Sequence, residues 1–99
     1  DLGYLVPGAY TVYKNVDFGV SVSGVSVRAA SGGNGGTAEF HLDGVDGPLV
    51  ATATLPVTGG WQTWETVAAN ATGASGIHDV YVVFKGTGSI ANVNWFEFK

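Results

Sequence analysis

The sequence contains no cysteine and no methionine, and charged residues make up only 12% of its 99 positions. Without cysteine, a disulfide framework and a thiolate metal site are both excluded. Four Lys and Arg stand against eight Asp and Glu, a formal charge of −4, so the basic surface that binds nucleic acid is absent. No apolar run reaches the roughly 18 to 20 residues of a membrane span, so we expect no membrane partner.

The chain length suits a single domain, and we assign residues 1–99 to one domain because no second zone of composition interrupts them. The first residues are Asp1-Leu2-Gly3, with no initiating Met. This start predicts a processed or excised segment of a longer protein. Sixteen glycines do not indicate disorder here, since aromatic and β-branched residues are too frequent.

Short runs with strand composition follow one another at roughly regular spacing, and no long stretch keeps a helical period free of glycine. This pattern predicts an all-β sandwich or barrel. The run at 80–84 is the most apolar and is expected to be central. A change of phase at Gly24 predicts a bulge or a bend there, and the glycines at 32–36 predict a hairpin turn. The predicted strands are 9–16, 20–27, 37–42, 49–55, 61–68, 80–84 and 90–98.

Two tryptophans stand three residues apart in Thr58-Gly59-Gly60-Trp61-Gln62-Thr63-Trp64. Successive side chains of an extended strand point to opposite faces, so Trp61 and Trp64 are predicted to face opposite ways. We expect one indole to pack inside and the other to be presented to solvent. The turn position favours Trp61 as the exposed one, where it offers a flat apolar surface to the C–H face of a sugar ring.

Candidate catalytic residues are sparse. Glu39, His41 and Asp43 share strand parity, which suggests a metal or acid–base cluster, although a solvated strand face gives the same pattern. His78-Asp79 precedes the most apolar strand and is expected to hydrogen-bond across a turn. No G-x-S-x-G nucleophile motif occurs. We therefore assign no catalytic residue.

The chain contains, in this order, Leu2-Gly3-Tyr4, Gly8 to Phe18, Val27 to Ser31, Leu42-Asp43, Gly47 to Val50, Thr58 to Trp64 and Asn92 to Phe98. Together these segments resemble family 6 carbohydrate-binding modules nearly from end to end. The resemblance implies a β-sandwich of jelly-roll type with seven or so short, mostly antiparallel strands. It also implies a non-catalytic module that binds xylan, a β-glucan or an agarose-type glycan. Such modules are usually carried by secreted glycoside hydrolases of bacterial type.

The resemblance also implies which residues bind the ligand. In that family a cleft at the loop end holds a sugar between a tyrosine and a tryptophan, and an asparagine hydrogen-bonds to the hydroxyls. Tyr4, Trp61 and Asn92 match these positions. A second cleft, on the concave sheet face, would use Tyr10, with Glu39 as the candidate acidic partner.

This sequence departs from the family mainly at the site of a structural calcium ion. Its acidic ligands come from strands that precede the segment matched by Leu2-Gly3-Tyr4, and this sequence starts at that segment. Asn94 matches the ligand from the last strand, but calcium takes about six to eight oxygens, so we expect the usual site to be incomplete. Missing strands would expose unpaired edges, which predicts self-association. There are two alternatives to self-association. The chain is a minimised module whose sheets close differently, or the missing strands are supplied by a fragment outside this chain.

Two other functions stay open at this point. One is a structural β-sandwich, either a spacer or an engineered self-associating fragment, without sugar binding. The other is an enzyme domain that hydrolyses a glycan with Glu39, Asp43 or Glu65.

Overall fold

The computed structural model describes residues 8–33, 35–86 and 92–99. Within these ranges the chain forms seven strands and no helix, and thus no helix long and apolar enough to cross a membrane. The strands are β1 (Tyr10–Asp17), β2 (Gly24–Ser31), β3 (Gly36–Leu42), β4 (Leu49–Leu55), β5 (Gly60–Asn70), β6 (Ile77–Lys85) and β7 (Asn92–Phe98).

The strands form two antiparallel sheets that pack face to face. One has four strands in the order β1-β6-β3-β4, and the other has three in the order β5-β2-β7. An isolated bridge between Ala51 and Ala71 joins β4 to the end of β5. The predicted all-β sandwich is therefore confirmed. The run at 80–84 lies in β6, between β1 and β3, which confirms its predicted central place.

The core between the sheets follows from the alternation of side chains along the strands. Val25, Val27 and Ala29 of β2 point inward and are buried. Phe40 of β3 is fully buried, and its ring packs against Phe96 of β7 with centroids 5.2 Å apart. Burying one such side chain contributes about 1.5–3 kcal/mol to stability, so these contacts hold the two sheets together.

The seven predicted strands correspond to the seven observed ones within a few residues, and Ile90, the predicted start of the last one, lies outside the described residues. Of the bulge or bend predicted at Gly24, the bulge is wrong, because the pairing of β2 with β5 is regular from Gly24 to Ala29. Val20 is 94% exposed, and β2 begins only at Gly24, so the change of phase marks the end of a loop.

The predicted hairpin at 32–36 is also wrong. The strand before it, β2, belongs to the three-stranded sheet, and the strand after it, β3, belongs to the four-stranded sheet. The glycine-rich segment therefore crosses from one sheet to the other at one end of the sandwich. We call this end, with the β2–β3 and β4–β5 connections and the start of β7, the loop end.

Candidate functional site

At the loop end, two connections are tied together by a serine and a threonine. The backbone N–H of Ser31 donates to Oγ1 of Thr58 over 3.0 Å, and the carbonyl of Ser31 accepts from the N–H of Thr58, also over 3.0 Å. Ser31 is fully buried, and its Oγ accepts from the N–H groups of Gly33 (3.2 Å) and Gly35 (3.3 Å). The β2–β3 and β4–β5 connections therefore form one unit.

Trp61 follows this unit directly and packs its indole on Gly32. A methyl group built on Gly32 would lie 2.8 Å from Nε1 and 2.9 Å from Cδ1 of Trp61, which is closer than carbon atoms approach. Only a residue without a side chain leaves room for the ring in this position. The indole is half-buried, so part of its surface rests on the protein and part faces outward.

The two tryptophans are not arranged as strand parity predicted. Ala29 of β2 pairs with Glu65 of β5, and Ser31 pairs with Gly60, so the four residues 61–64 bulge opposite the single residue Ala30. Both indoles are half-buried and neither belongs to the core, so the expectation that one of them packs inside is wrong. A bulge of this kind ends the regular alternation on which the parity argument depended.

Trp64 packs against the outer face of the three-stranded sheet. The guanidinium carbon of Arg28 lies 5.8 Å from the centre of its ring, a cation–π contact. Arg28 alternates with the buried residues Val27 and Ala29, so its side chain is on the face turned away from the core.

Asn92 lies at the start of β7, and its side chain reaches the tryptophan segment. Its Nδ2 donates a hydrogen bond to the backbone carbonyl of Trp61 over 2.8 Å. The structure therefore brings Asn92 and Trp61 together. Tyr4, the third residue predicted for this site, lies outside the described residues.

A second cluster lies on the outer face of the four-stranded sheet. Tyr10 of β1 and Glu39 of β3 both pair with Val83 of β6, so the three side chains form one row. The rings of Tyr10 and Tyr81 stack with centroids 6.3 Å apart and planes inclined by 27°, and Tyr10 is 57% exposed. His41 pairs with Tyr81 in the next row. We call this surface, formed by Tyr10, Tyr81, Val83, Glu39 and His41, the tyrosine face.

Two described residues contact the carboxylate of Glu39, both through Oε1. Nε2 of His41 lies 3.0 Å from its Oε1, and Nζ of Lys85 lies 3.9 Å from the same oxygen. The other ring nitrogen of His41, Nδ1, lies 2.8 Å from the carbonyl oxygen of Gly47. The predicted second-cleft residues Tyr10 and Glu39 are thus on one surface, with His41, Lys85 and Tyr81 beside them.

Asp43 does not join Glu39 and His41. It has a φ of 66° and directs its carboxylate to Nδ1 of His78, 2.9 Å away. Nε2 of His78 in turn contacts the carbonyl of Ser75, so the expected hydrogen bond across a turn is confirmed. Among the described residues no three His, Asp or Glu side chains lie close enough to hold a metal ion.

Asp79 fixes an irregularity in β1. Its Oδ1 accepts from the N–H of Asn15 over 3.0 Å, and its Oδ2 lies 3.2 Å from Nζ of Lys14. Asn15 has a φ of 55° and lies where the pairing between Tyr13 and Val16 shifts register. The hydrogen bond from Asn15 and the ammonium of Lys14 lower the pKa of Asp79, and Asp79 raises the pKa of Lys14.

The carboxylates of the enzyme alternative are not brought together. Glu39 lies in the four-stranded sheet and Glu65 in the three-stranded one, while Asp43 follows the end of β3. Asn94 is exposed on β7 beside Trp95, where the pairing with β2 shifts register between Arg28 and Ala29.

Sequence reasoning missed three residues that build the loop end: Ser31, Gly32 and Thr58. A serine followed by glycines is typical of a turn closed by a hydroxyl, and this signal was present at Ser31. The partnership of Ser31 with Thr58 spans 27 positions and leaves no local pattern.

Several known proteins are similar to this chain in sequence and fold. Residues 1–99 match the model of the carbohydrate binding module (family 6). An arabinoxylan arabinofuranohydrolase of Bacillus subtilis is 37% identical over 93 residues, which cover 92% of this chain and 18% of that enzyme. The chain therefore spans less than a fifth of the length of that relative.

Two solved structures have the same fold. A family 6 carbohydrate-binding module from Clostridium cellulolyticum, in complex with xylose, superposes with a TM-score of 0.93 at 46% identity, covering 96% of this chain and 74% of that one. A β-1,3-glucan-binding module from Bacillus halodurans superposes with a TM-score of 0.92 at 39% identity, covering 96% and 72%. Because the family model matches residues 1–99, this chain belongs to the family 6 carbohydrate-binding modules.

Proposed function

We propose that this module binds a polysaccharide chain at the loop end, with Trp61 as the stacking surface, and holds an appended glycoside hydrolase on its substrate. The observation that carries this proposal is that neighbouring residues hold the half-buried indole of Trp61 in place. Gly32 lies directly against the ring, and Asn92 holds the backbone carbonyl of the same residue over 2.8 Å. An aromatic surface with a few placed polar groups binds and orients a ligand.

The proposed ligands are xylan, a β-glucan or an agarose-type glycan. A related module was solved with xylose, another binds β-1,3-glucan, and a third relative is an arabinoxylan arabinofuranohydrolase. We propose further that the module has no catalysis of its own. We also propose that its parent enzyme is secreted, because such polymers are too large to enter a cell.

Affinity electrophoresis tests this proposal. Soluble xylan, β-1,3-glucan and agarose-type glycans are cast into native gels, and the retardation of the protein is measured. We expect retardation by at least one glycan, with affinity on the order of micromolar to millimolar, because shallow and wet sites gain little from buried area. Trp61→Ala should reduce it strongly while the melting temperature barely changes.

Trp64→Ala is the matched control, since it removes the same side chain from the outer face of the three-stranded sheet, where Trp64 packs on Arg28. It should leave retardation by the loop-end site unchanged. Failure of the whole glycan panel to retard the wild-type protein would contradict the proposal, and so would equal effects of the two tryptophan variants. Gels run with calcium and with a chelator test metal dependence, and we expect the same retardation in both.

We propose the tyrosine face as a second binding surface. The observation in its favour is the row that places Tyr10 and Glu39 on either side of Val83, beside the stacked rings of Tyr10 and Tyr81. The loop end and this face are separate surfaces, so they can hold separate chains of one polysaccharide. Two linked binding events raise the overall affinity through effective concentration.

We also propose that the module associates with a second copy through β7. Of the described strands only β2 pairs with β7, on one of its two edges. The strand carries Trp95, which is 43% exposed, and only one charged residue, Glu97. An edge strand that is apolar and weakly charged favours pairing with another strand.

A further inference from the structure

We infer that the outer face of the three-stranded sheet binds an acidic sugar, with Arg28 pairing with the sugar carboxylate and Trp95 stacking on its ring. This surface is separate from the loop end and from the tyrosine face, and its ligand is a glycan that carries uronic acid groups. Two observations point to it. No carboxylate of the described residues forms an ion pair with Arg28, and the tryptophan beside it is 43% exposed.

Arg28 is the only arginine of the sequence, and it lies in the middle strand of this sheet. It pairs with Thr66 of β5 on one side and with Trp95 of β7 on the other, so the three side chains form one row on the outer face. Cross-strand partners on one face have Cβ atoms about 4.5–5.5 Å apart. One sugar residue can therefore rest on the indole of Trp95 while its carboxylate meets the guanidinium of Arg28.

The neighbouring carboxylate on this face leaves the guanidinium available. Glu97 of β7 lies in the next row, opposite Ser26, and forms no ion pair with Arg28. An ion pair between exposed side chains is weak, because solvent screens it and both side chains lose freedom. A sugar carboxylate that is already held by stacking therefore competes well with Glu97 for the same cation.

Trp64 holds the guanidinium from β5. The guanidinium carbon of Arg28 lies 5.8 Å from the centre of the Trp64 ring, within the range of a cation–π contact. A guanidinium presents its N–H donors as a planar fork, which matches the two oxygens of a carboxylate with parallel hydrogen bonds. Trp64 is therefore a positioning residue for Arg28, and Trp95 provides the surface for the sugar ring.

The charge of the whole module makes an acidic ligand a demanding test. The chain has a formal charge of −4, so in general it repels an anionic polymer. A preference for the acidic form of a polysaccharide over its neutral form therefore requires a cation at the point of contact. Arg28 supplies that cation next to an aromatic surface.

Affinity electrophoresis with a matched pair of polymers tests this site. Glucuronoxylan is compared with the same polymer after carboxyl reduction, which converts each uronic acid to a neutral sugar and leaves the backbone unchanged. The full chain carries Trp61→Ala, so that the loop end does not contribute. We expect the acidic polymer to bind about tenfold or more tightly than its reduced form, the usual effect of a charged hydrogen bond.

Substitutions of charged residues in that background identify the cation. Arg28→Gln should abolish the preference and, because the module is acidic, reverse it. Arg28→Lys keeps the charge but loses the planar fork, so it should retain only part of the preference. Lys14→Gln is the matched control, since it removes one positive charge from an exposed side chain of the four-stranded sheet. It should leave the preference unchanged.

Trp95→Ala tests the stacking surface while Arg28 stays in place. It should weaken retardation by glucuronoxylan, because the sugar ring loses its apolar contact. Melting curves show that each variant is folded. The gels are run at a protein concentration at which static light scattering gives the same mass for every variant, so that association through β7 does not contribute to the difference.

Each outcome bears on a different statement. If neutral glycans retard the wild-type protein but the Trp61→Ala protein shows no preference for glucuronoxylan, the outer face does not bind an acidic sugar, and the loop-end proposal stands. A preference that survives Arg28→Gln, or that Lys14→Gln removes equally, overturns the role of Arg28. If glucuronoxylan alone retards the wild-type protein, the loop-end proposal fails and the site at Arg28 stands.

Discussion

The side-chain amide of Asn92 donates a hydrogen bond to the backbone carbonyl of Trp61 across the end of a three-stranded sheet. The two residues belong to β7 and β5, which lie on opposite sides of β2. Between them lies Ala30, which pairs with Asn92 and is fully buried. A small side chain at this position leaves Asn92 a clear path over β2. The position of the stacking surface is therefore set by all three strands.

Gly32→Ala should weaken glycan binding without unfolding the module. The added methyl group would lie 2.8 Å from Nε1 of Trp61, so the indole must move away from its present place. The φ of Gly32 is not in the left-handed region, so alanine costs little in the backbone. We expect reduced retardation in affinity gels and a nearly unchanged melting temperature.

Gly44→Ala is the control for this change. A methyl group on Gly44 has its nearest contact at 4.0 Å, the backbone nitrogen of Gly47, and so requires no movement. This variant should bind like the wild-type protein. Undiminished binding by Gly32→Ala would show that the indole does not need its present position.

The sequence was sufficient to predict the strands, because alternation and glycine-rich breaks are local signals. It was not sufficient to predict which sheet each strand joins. The segment at 32–36 has the composition of a hairpin turn, but the partners of β2 and β3 are decided by burial against distant strands. The prediction that one tryptophan of the pair packs inside was wrong for a related reason. The bulge at residues 61–64 depends on the register with β2.

Ser31→Ala should destabilise the module by about 1–3 kcal/mol, because two N–H groups lose their acceptor. Oγ of Ser31 accepts from Gly33 and Gly35 at a buried position. Urea unfolding followed by tryptophan fluorescence measures the loss. Ser75→Ala is the control, since this exposed serine uses its backbone carbonyl, and not its hydroxyl, to hold His78. Equal stability of the two variants would contradict the role assigned to Ser31.

Asp79→Asn should make the stability of the module less sensitive to acid. The pKa of Asp79 is lowered in the folded protein, first by the N–H of Asn15 and then by Lys14. Its contribution is therefore present above the unfolded pKa and is lost as the pH falls through the folded pKa. We expect the variant to be less stable than wild type at neutral pH and equally stable at strongly acidic pH.

Thermal melts across the acid range measure this difference. Asp17→Asn is a suitable comparison, because Asp17 is an exposed carboxylate on the same strand whose Oδ1 accepts from the N–H of Gly19. A stability gap between wild type and Asp79→Asn that stays constant down to the lowest pH would contradict the assignment.

Wild-type protein should associate reversibly as its concentration rises, through antiparallel pairing of two copies of β7. A two-fold axis at Trp95 places Asn94 opposite Phe96 of the second copy and keeps the two Glu97 carboxylates apart. Trp95→Lys puts two like charges beside each other at the axis and should yield a monomer.

Val20→Lys, at a loop position that is 94% exposed, should associate like the wild type. Static light scattering over a range of concentrations gives the mass of each protein. A wild-type monomer at every concentration would contradict the pairing. So would dissociation by Val20→Lys, because it would show that apolar surface in general, and not the edge of β7, causes the association.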